Sequence, residues 1–497
     1  MKSGPLKAFV VAACAAVIMS VLAGCGGGGG GTTSTVGGRA VSVLYNPADA
    51  GGIPVSDGPS GPRPNAPQPT GTVKNTDNGE IDKLSMLALN DIEDFWKQNW
   101  PEAAKKPFKA VSTVVSYDST DPQSPIVCHI KTAGVINAAY VYSCNLVEWD
   151  RGQLFPSAKK YFGDMAVVGI LAHEFGHALQ VNGGLVNTRT TPTLVMEQQA
   201  DCFAGVYLRW VAEGHSTRFA LNTGDALSHV IAGMLKISDP IMTEAELQES
   251  ENQAHGTGLD RVSAFQMGFV SGSGTCAKID MDEIKKRRAG EPLALQEDSS
   301  GEGAAGEVEI NNENITTLFE ILGKVFSPKS PPTLSFTSAA CPDAKPTRGA
   351  SYCPSSNTVI ADMPTLRELG KPGGRKGMTD PQMLQGDNTA MSIVASRYAM
   401  AIQHERGLPL NAPVTGVRTA CLTGVAERGM AEPVSIPSGK QLVLTGGDLD
   451  KALIGLLVNG VAASDVNGAN MPAGFTRALA FRAGVMDNAD QCFQRIL

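Results

Sequence analysis

The chain has 497 residues, of which 42% are hydrophobic and 18% charged, a balance that fits a globular protein with true cores. Forty-one basic residues against 49 acidic ones give a formal net charge of -8. With no dense basic patch, a nucleic-acid partner is not expected. Aromatics are scarce at 6%, while Gly (55) and Pro (30) are common, so part of the chain reads as linker.

Residues 1–24 read as an export signal. Lys2 and Lys7 form a short basic start, and Ala8 to Ala23 is almost wholly apolar. That run is short for a membrane span and ends in small residues before a cysteine. Leu22-Ala23-Gly24-Cys25 resembles the bacterial lipobox. The resemblance implies that Cys25 becomes the acylated mature N-terminus and that the protein is a membrane-anchored lipoprotein of the cell envelope. An ordinary signal peptide or an uncleaved anchor is the plainer reading. Residues 25–75 are rich in Gly and Pro and read as a flexible tether, of which Ala40 to Tyr45 could pack as a strand.

A first globular domain is expected over residues 76–280. Leu84, Leu87, Ile92 and Trp96 recur at helical spacing, so Ile81 to Trp100 reads as an amphipathic helix. Val111 to Tyr117 reads as a strand. Met165 to Gln180 and Thr193 to Ala212 read as helices. Residues 281–308 are charged and rich in Gly and Glu, and read as an interdomain linker.

Residues 309–497 read as a second copy of the first domain. Asn312 to Val325 takes the place of Ile81 to Trp100, and Ser335 to Thr337 that of the valine-rich strand. Gly386-Asp387 matches Gly163-Asp164. Ala420-Cys421-Leu422-Thr423-Gly424-Val425 matches Asp201-Cys202-Phe203-Ala204-Gly205-Val206. Chance similarity between helices is the bland alternative. Outside Cys14 and Cys25 an even set of cysteines remains, which suggests disulfides in an exported protein. Spacing alone does not fix their pairing. The repeat narrows it to Cys128–Cys144, Cys202–Cys276, Cys341–Cys353 and Cys421–Cys492.

The chemistry concentrates in His173-Glu174-Phe175-Gly176-His177. Residues four apart share a helix face, so both imidazoles can address one ion while Glu174 stays free to take a proton. Glu197 and Asp201 are again four apart on the next predicted helix. Two His and a carboxylate leave one tetrahedral position for water, as in catalytic zinc sites. Asp201 is placed to orient a ligand imidazole. Ordinary helix histidines and a solvated Glu197 are the bland alternatives.

HExxH followed by Glu197-x-x-x-Asp201 resembles the gluzincin metallopeptidases. Gly163-Asp164 before AHEFGHALQ, with EQQADCFAGV after it, resembles the bacterial neutral zinc metallopeptidases. His255-Gly256-Thr257, Arg261, Phe265, Gly268 and Cys276 continue that pattern. Signal, lipobox and duplication together look like actinobacterial lipoprotein peptidases of that family. The resemblance covers about residues 80–280. It implies a helix-rich α+β fold with a zincin-like helix pair, and one Zn2+ on His173, His177 and Glu197. It also implies Glu174 as general base, Asp201 behind a ligand, and a peptide or protein substrate. His255 would stabilise an oxyanion, or merely bond backbone in a turn.

In the second copy His173 falls on Ser396, Glu174 on Arg397, His177 on Met400, Glu197 on Gly416 and Asp201 on Ala420. That copy is expected to keep the fold without the metal. The sequence names no protein partner for it. The rival to a zinc endopeptidase is a non-catalytic envelope scaffold with a structural zinc. His129, His215, His229 and His404 have no motif around them.

Overall fold

The computed structural model describes residues 33–36, 39–236, 255–293, 307–371 and 385–496. Cys25 and the export signal lie outside the described residues. The fold is α+β and helix-rich.

The chain opens with short strands: β1 Thr33–Val36, β2 Arg39–Ser42, β3 Asp49–Ala50, β4 Ile53–Pro54, β5 Gly61–Pro62 and β6 Val73–Lys74. From Leu44 onward this segment is a packed strap, where composition suggested a tether. Ala50 is fully buried, β5 pairs antiparallel with β12 (Phe219–Ala220), and β6 pairs parallel with β7 (Thr113–Tyr117). The glycines here serve tight turns. Gly51 (φ 58°), Gly52 (φ 82°) and Gly61 (φ 111°) all adopt left-handed backbone that side chains disfavour.

The amphipathic helix α1 spans Glu80–Gln98 and buries Leu84, Leu87, Ile92 and Trp96. After β7 come the hairpin β8 (Ile126–Val127) and β9 (Ile130–Lys131), then β10 (Ala138–Val141) and β11 (Leu146–Asp150). The four-stranded sheet has the order β10-β11-β7-β6. Every residue of the inner strand β11 is buried. β10 pairs antiparallel with β11 and forms the outer edge.

Helices α2 (Leu154–Phe162), α3 (Asp164–Gly183), α4 (Thr193–Ala212) and α5 (Asp225–Lys236) follow. α3 starts after Gly163 at φ 83°, carries Asp164 at its positive end, and stops at Gly184 in the left-handed region. Its run from Met165 to Ala172 is apolar around most of the circumference, so it sits inside the domain. Then come α6 (Gly258–Ser271), α7 (Ser273–Cys276) and α8 (Met281–Arg287). The expected linker over 281–308 thus begins as a packed helix, because Ile284 and Arg287 point inward among its charges.

The second half contains α9 (Asn312–Phe326), β13 (Thr333–Ser335), β14 (Ala350–Cys353), β15 (Thr358–Ala361) and α10 (Met363–Leu369). It ends with α11 (Asp387–Glu405), α12 (Pro413–Gly429), α13 (Asp448–Val458), α14 (Gly474–Met486) and α15 (Ala489–Arg495). Its sheet has the order β13-β15-β14. β13 begins two residues before the strand expected at Ser335.

Four disulfides join Cys128 to Cys144, Cys202 to Cys276, Cys341 to Cys353 and Cys421 to Cys492. One hydrophobic cluster runs through both halves. At their junction α13 and α14 lie on α5 and α6. Phe475 and Phe269 meet with ring centroids 4.7 Å apart, a kind of contact worth about 0.5–1.5 kcal/mol beyond the area it buries. Gln266 Nε2 donates to Phe475 O at 3.1 Å, and Arg482 Nη1 to Ser263 O at 3.0 Å.

Candidate metal centre

α3 and α4 cross at Gly176, the fourth residue of the His173–His177 motif. A Cβ on Gly176 would stand 2.9 Å from Ala200 Cα and 3.0 Å from Ala200 O. Glycine therefore permits the close crossing that brings Glu197 to the two histidines. Glu197 Oε2 lies 3.1 Å from His173 Nε2, and Glu197 Oε1 lies 3.4 Å from His177 Nε2. One donor atom from each of the three falls within 4.8 Å of the others.

Each ring is oriented from behind. His173 Nδ1 is 2.7 Å from Asp201 Oδ1. Arg261 on α6 clamps that carboxylate, with Nε donating to Oδ2 at 2.9 Å and Nη2 to Oδ1 at 2.8 Å. His177 Nδ1 is 3.1 Å from Gln180 Oε1, and Gln180 Nε2 donates to Met196 O at 2.6 Å. With Nδ1–H donated backward, each Nε2 presents a lone pair to the shared centre.

The residues fit a divalent cation on two counts. Glu197 Oε2 is buried, and with the His173 proton on Nδ1 it has no N–H to accept, which is costly unless something else satisfies it. In addition, the carboxylates of Glu174, Glu197 and Asp201 all act on the buried guanidinium of Arg261. Burial opposes a charged His173, yet Asp201 and Glu197 push its pKa up to about 10. A dication does the same compensation directly. Nitrogen–nitrogen–oxygen donors suit Zn2+.

Glu174 stands beside the three donors without joining them. Its Oε2 accepts from Tyr140 N at 2.9 Å, on the outer strand β10. Burial raises its pKa, against the pull of His173 and His177. Behind it, the buried Glu148 on β11 is pushed up to about 7 by burial and then by Glu174.

A cavity of about 390 Å3 opens over these groups, lined also by β10, Leu154 and Ile170. His255 borders it, half-exposed, with Nε2 3.9 Å from Glu197 Oε1. Its carbonyl accepts from Gln198 Nε2 at 3.3 Å. His173, Glu174, His177, Glu197, Asp201 and His255 are thus brought together. His404 instead pairs with Tyr352 OH at 2.8 Å, His215 lies near Glu213, and His129 sits in a turn at φ 72°. Sequence reasoning gave no role to the clamp by Arg261, the support from Gln180 or the backbone of Tyr140. Its place in the pattern His255-Gly256-Thr257, Arg261, Phe265, Gly268 and Cys276 was the available signal for Arg261. For a backbone N–H there was none.

A family model described as "Putative neutral zinc metallopeptidase" matches residues 19–280. Two curated relatives, both named "Uncharacterized protein YpfJ", come from Escherichia coli strain K12 and strain O6:H1 (CFT073). Each is 33% identical over 125 residues, covering 22% of this chain and 42% of the relative. The chain therefore spans less than half the length of these relatives. No solved structure matches it.

Proposed function

The chain belongs to the neutral zinc metallopeptidase family, and we propose that it is a zinc-dependent endopeptidase anchored outside the cytoplasm through lipidated Cys25. The observation that carries this reading is the convergence of His173, His177 and Glu197 beside the separately held Glu174. A zinc ion held by those three residues would supply Lewis acidity and a water of lowered pKa.

The chain's own groups do the rest. Glu174 takes the proton of the attacking water and returns it to the leaving amine. The Tyr140 N–H fixes the carboxylate for that task. Asp201, clamped by Arg261, holds His173 in one tautomer. His255 lines the cavity where it can donate to the developing oxyanion. The outer edge of β10 runs along the same cavity, and an extended peptide is the substrate such an edge can pair with.

The two halves form tandem copies of one domain, the second degenerate. Three parallels support this. The strand order β10-β11-β7 has a counterpart in β14-β15-β13, with the same parallel and antiparallel pairs. α4 crosses α6 at Gly205 and Gly268, and α12 crosses α14 at Gly424 and Gly484, each glycine packed on facing backbone. The Cys202–Cys276 and Cys421–Cys492 bonds pin the first helix of each pair. At the Glu174 position, buried Arg397 donates to Ala350 O on β14 at 2.9 Å and to Ser464 Oγ at 3.0 Å. A side chain at Gly416 would run into Ala463. The second centre is filled with protein.

The test is hydrolysis of an unfolded protein such as labelled casein by the zinc-loaded full chain and by Glu174→Gln. Turnover by the wild type, lost in the variant with zinc retained, is expected. Equal turnover by both removes Glu174 as base, and no turnover by either favours a structural zinc.

A further inference from the structure

The helix that carries Arg261 is capped from the other half of the molecule. Gly258 and Leu259 head α6, and their N–H groups have no acceptor within the helix. Asp450 on α13 takes both. Its Oδ2 accepts from Gly258 N at 3.0 Å, and its Oδ1 from Leu259 N at 2.8 Å. An anion is also favoured at this end by the helix dipole. Gly258 makes the approach possible, since a Cβ there would stand 2.8 Å from Asp450 Cγ.

This end of α6 adjoins the cavity. Thr257 and Asp260 close a capping box on the same turn, with Thr257 N donating to Asp260 Oδ2 at 3.0 Å. Gly256 turns the chain at φ 98°, and His255 precedes it over the cavity. The far end of α6 is held by its own half, through Gly268 against Cys202 and through the Cys202–Cys276 bond near its C-terminus. The first turn is held at Asp260 by Arg288 of its own half, at 2.9 Å, and across the junction at Gly258 and Leu259.

Resting on the peptidase reading above, we infer that Asp450 is a positioning residue for the reaction: the second half takes the two leading N–H groups of α6 and so steadies the turn that sets His255 over the cavity. This gives the half with the filled centre a part in the chemistry of the other. A rigid support matters because a misplacement of about 1 Å in a reacting group can cost about 100-fold in rate.

The full chain is compared as wild type, Asp450→Ala, Asp450→Asn, His255→Ala and the His255→Ala/Asp450→Ala double variant. Zinc per chain, casein hydrolysis, and amide hydrogen exchange in residues 255–262 and 164–183 are measured. Asp450→Ala is expected to keep its zinc, to exchange faster in 255–262 but not in 164–183, and to lose roughly ten-fold in kcat/KM. Asp450→Asn keeps one acceptor oxygen, should fall between, and carries the comparison if the alanine variant does not fold. Added to His255→Ala, Asp450→Ala should cost little more, because both act through one group. Hydrolysis by the wild type together with unchanged exchange in 255–262, or a full additional loss in the double variant, overturns the role of Asp450 alone. Absence of casein hydrolysis by the wild type overturns the peptidase reading and this role with it.

Discussion

Asp201 Oδ1 lies 2.7 Å from His173 Nδ1 and accepts from Arg261 Nη2, while Oδ2 of the same carboxylate accepts from Arg261 Nε. The contact fixes which imidazole nitrogen faces Glu197. Asp201→Asn removes the charge and weakens control of the tautomer. Zinc affinity should fall about 10–100-fold, read by competition with a chelator. An unchanged affinity would show that the ring is oriented by packing alone.

Gly176→Ala tests the helix crossing. The added methyl meets the backbone of Ala200, which cannot swing aside as a side chain can. Overpacking of this kind costs about 1–3 kcal/mol. A lowered Tm should come with reduced zinc content, because Glu197 rides on the displaced helix. Full zinc content at a lowered Tm would separate the crossing from the site.

Glu427 predicts a pH dependence of stability in the second half. It is fully buried and accepts from Asn388 Nδ2 at 2.7 Å and Ser392 Oγ at 2.8 Å. Burial pushes its pKa from 4.5 up to about 8, against those two hydrogen bonds. Between these values the folded chain binds the proton and the unfolded chain releases it. The Glu427 contribution is therefore complete below about pH 4.5 and is lost as pH rises toward 8. Glu427→Gln should flatten the fall in Tm over that window. An identical slope in the variant would mean that other groups set it.

Breaking Cys202–Cys276 with paired serines should destabilise the fold by about 2–5 kcal/mol, measured by denaturant unfolding. The bond ties α4, which carries Glu197 and Asp201, to the segment after α6. Zinc affinity should fall along with stability. A loss of stability with affinity intact would place the bond outside the metal centre.

Local chemistry was legible in the sequence. Four-residue spacing placed His173 with His177 and Glu197 with Asp201 on helix faces, and α4 begins and ends where its pattern does. The internal repeat, rather than spacing, carried the disulfide pairs. What stayed hidden depends on contacts distant in sequence. Residues 44–74 look like tether by composition, yet Thr476 Oγ1 bonds Asp49 O at 2.5 Å and Arg209 Nη1 bonds Gly51 O at 2.7 Å. Asp450 meeting Gly258, and Glu174 meeting the backbone of Tyr140, leave no trace in composition or period.

The most direct measurement is zinc stoichiometry of the full chain, wild type and His173→Ala, alongside casein hydrolysis by wild type and Glu174→Gln. The expectation is one zinc per chain, lost in His173→Ala, and hydrolysis that disappears in Glu174→Gln while its zinc remains. Zinc bound undiminished by His173→Ala, or hydrolysis undiminished in Glu174→Gln, would contradict it.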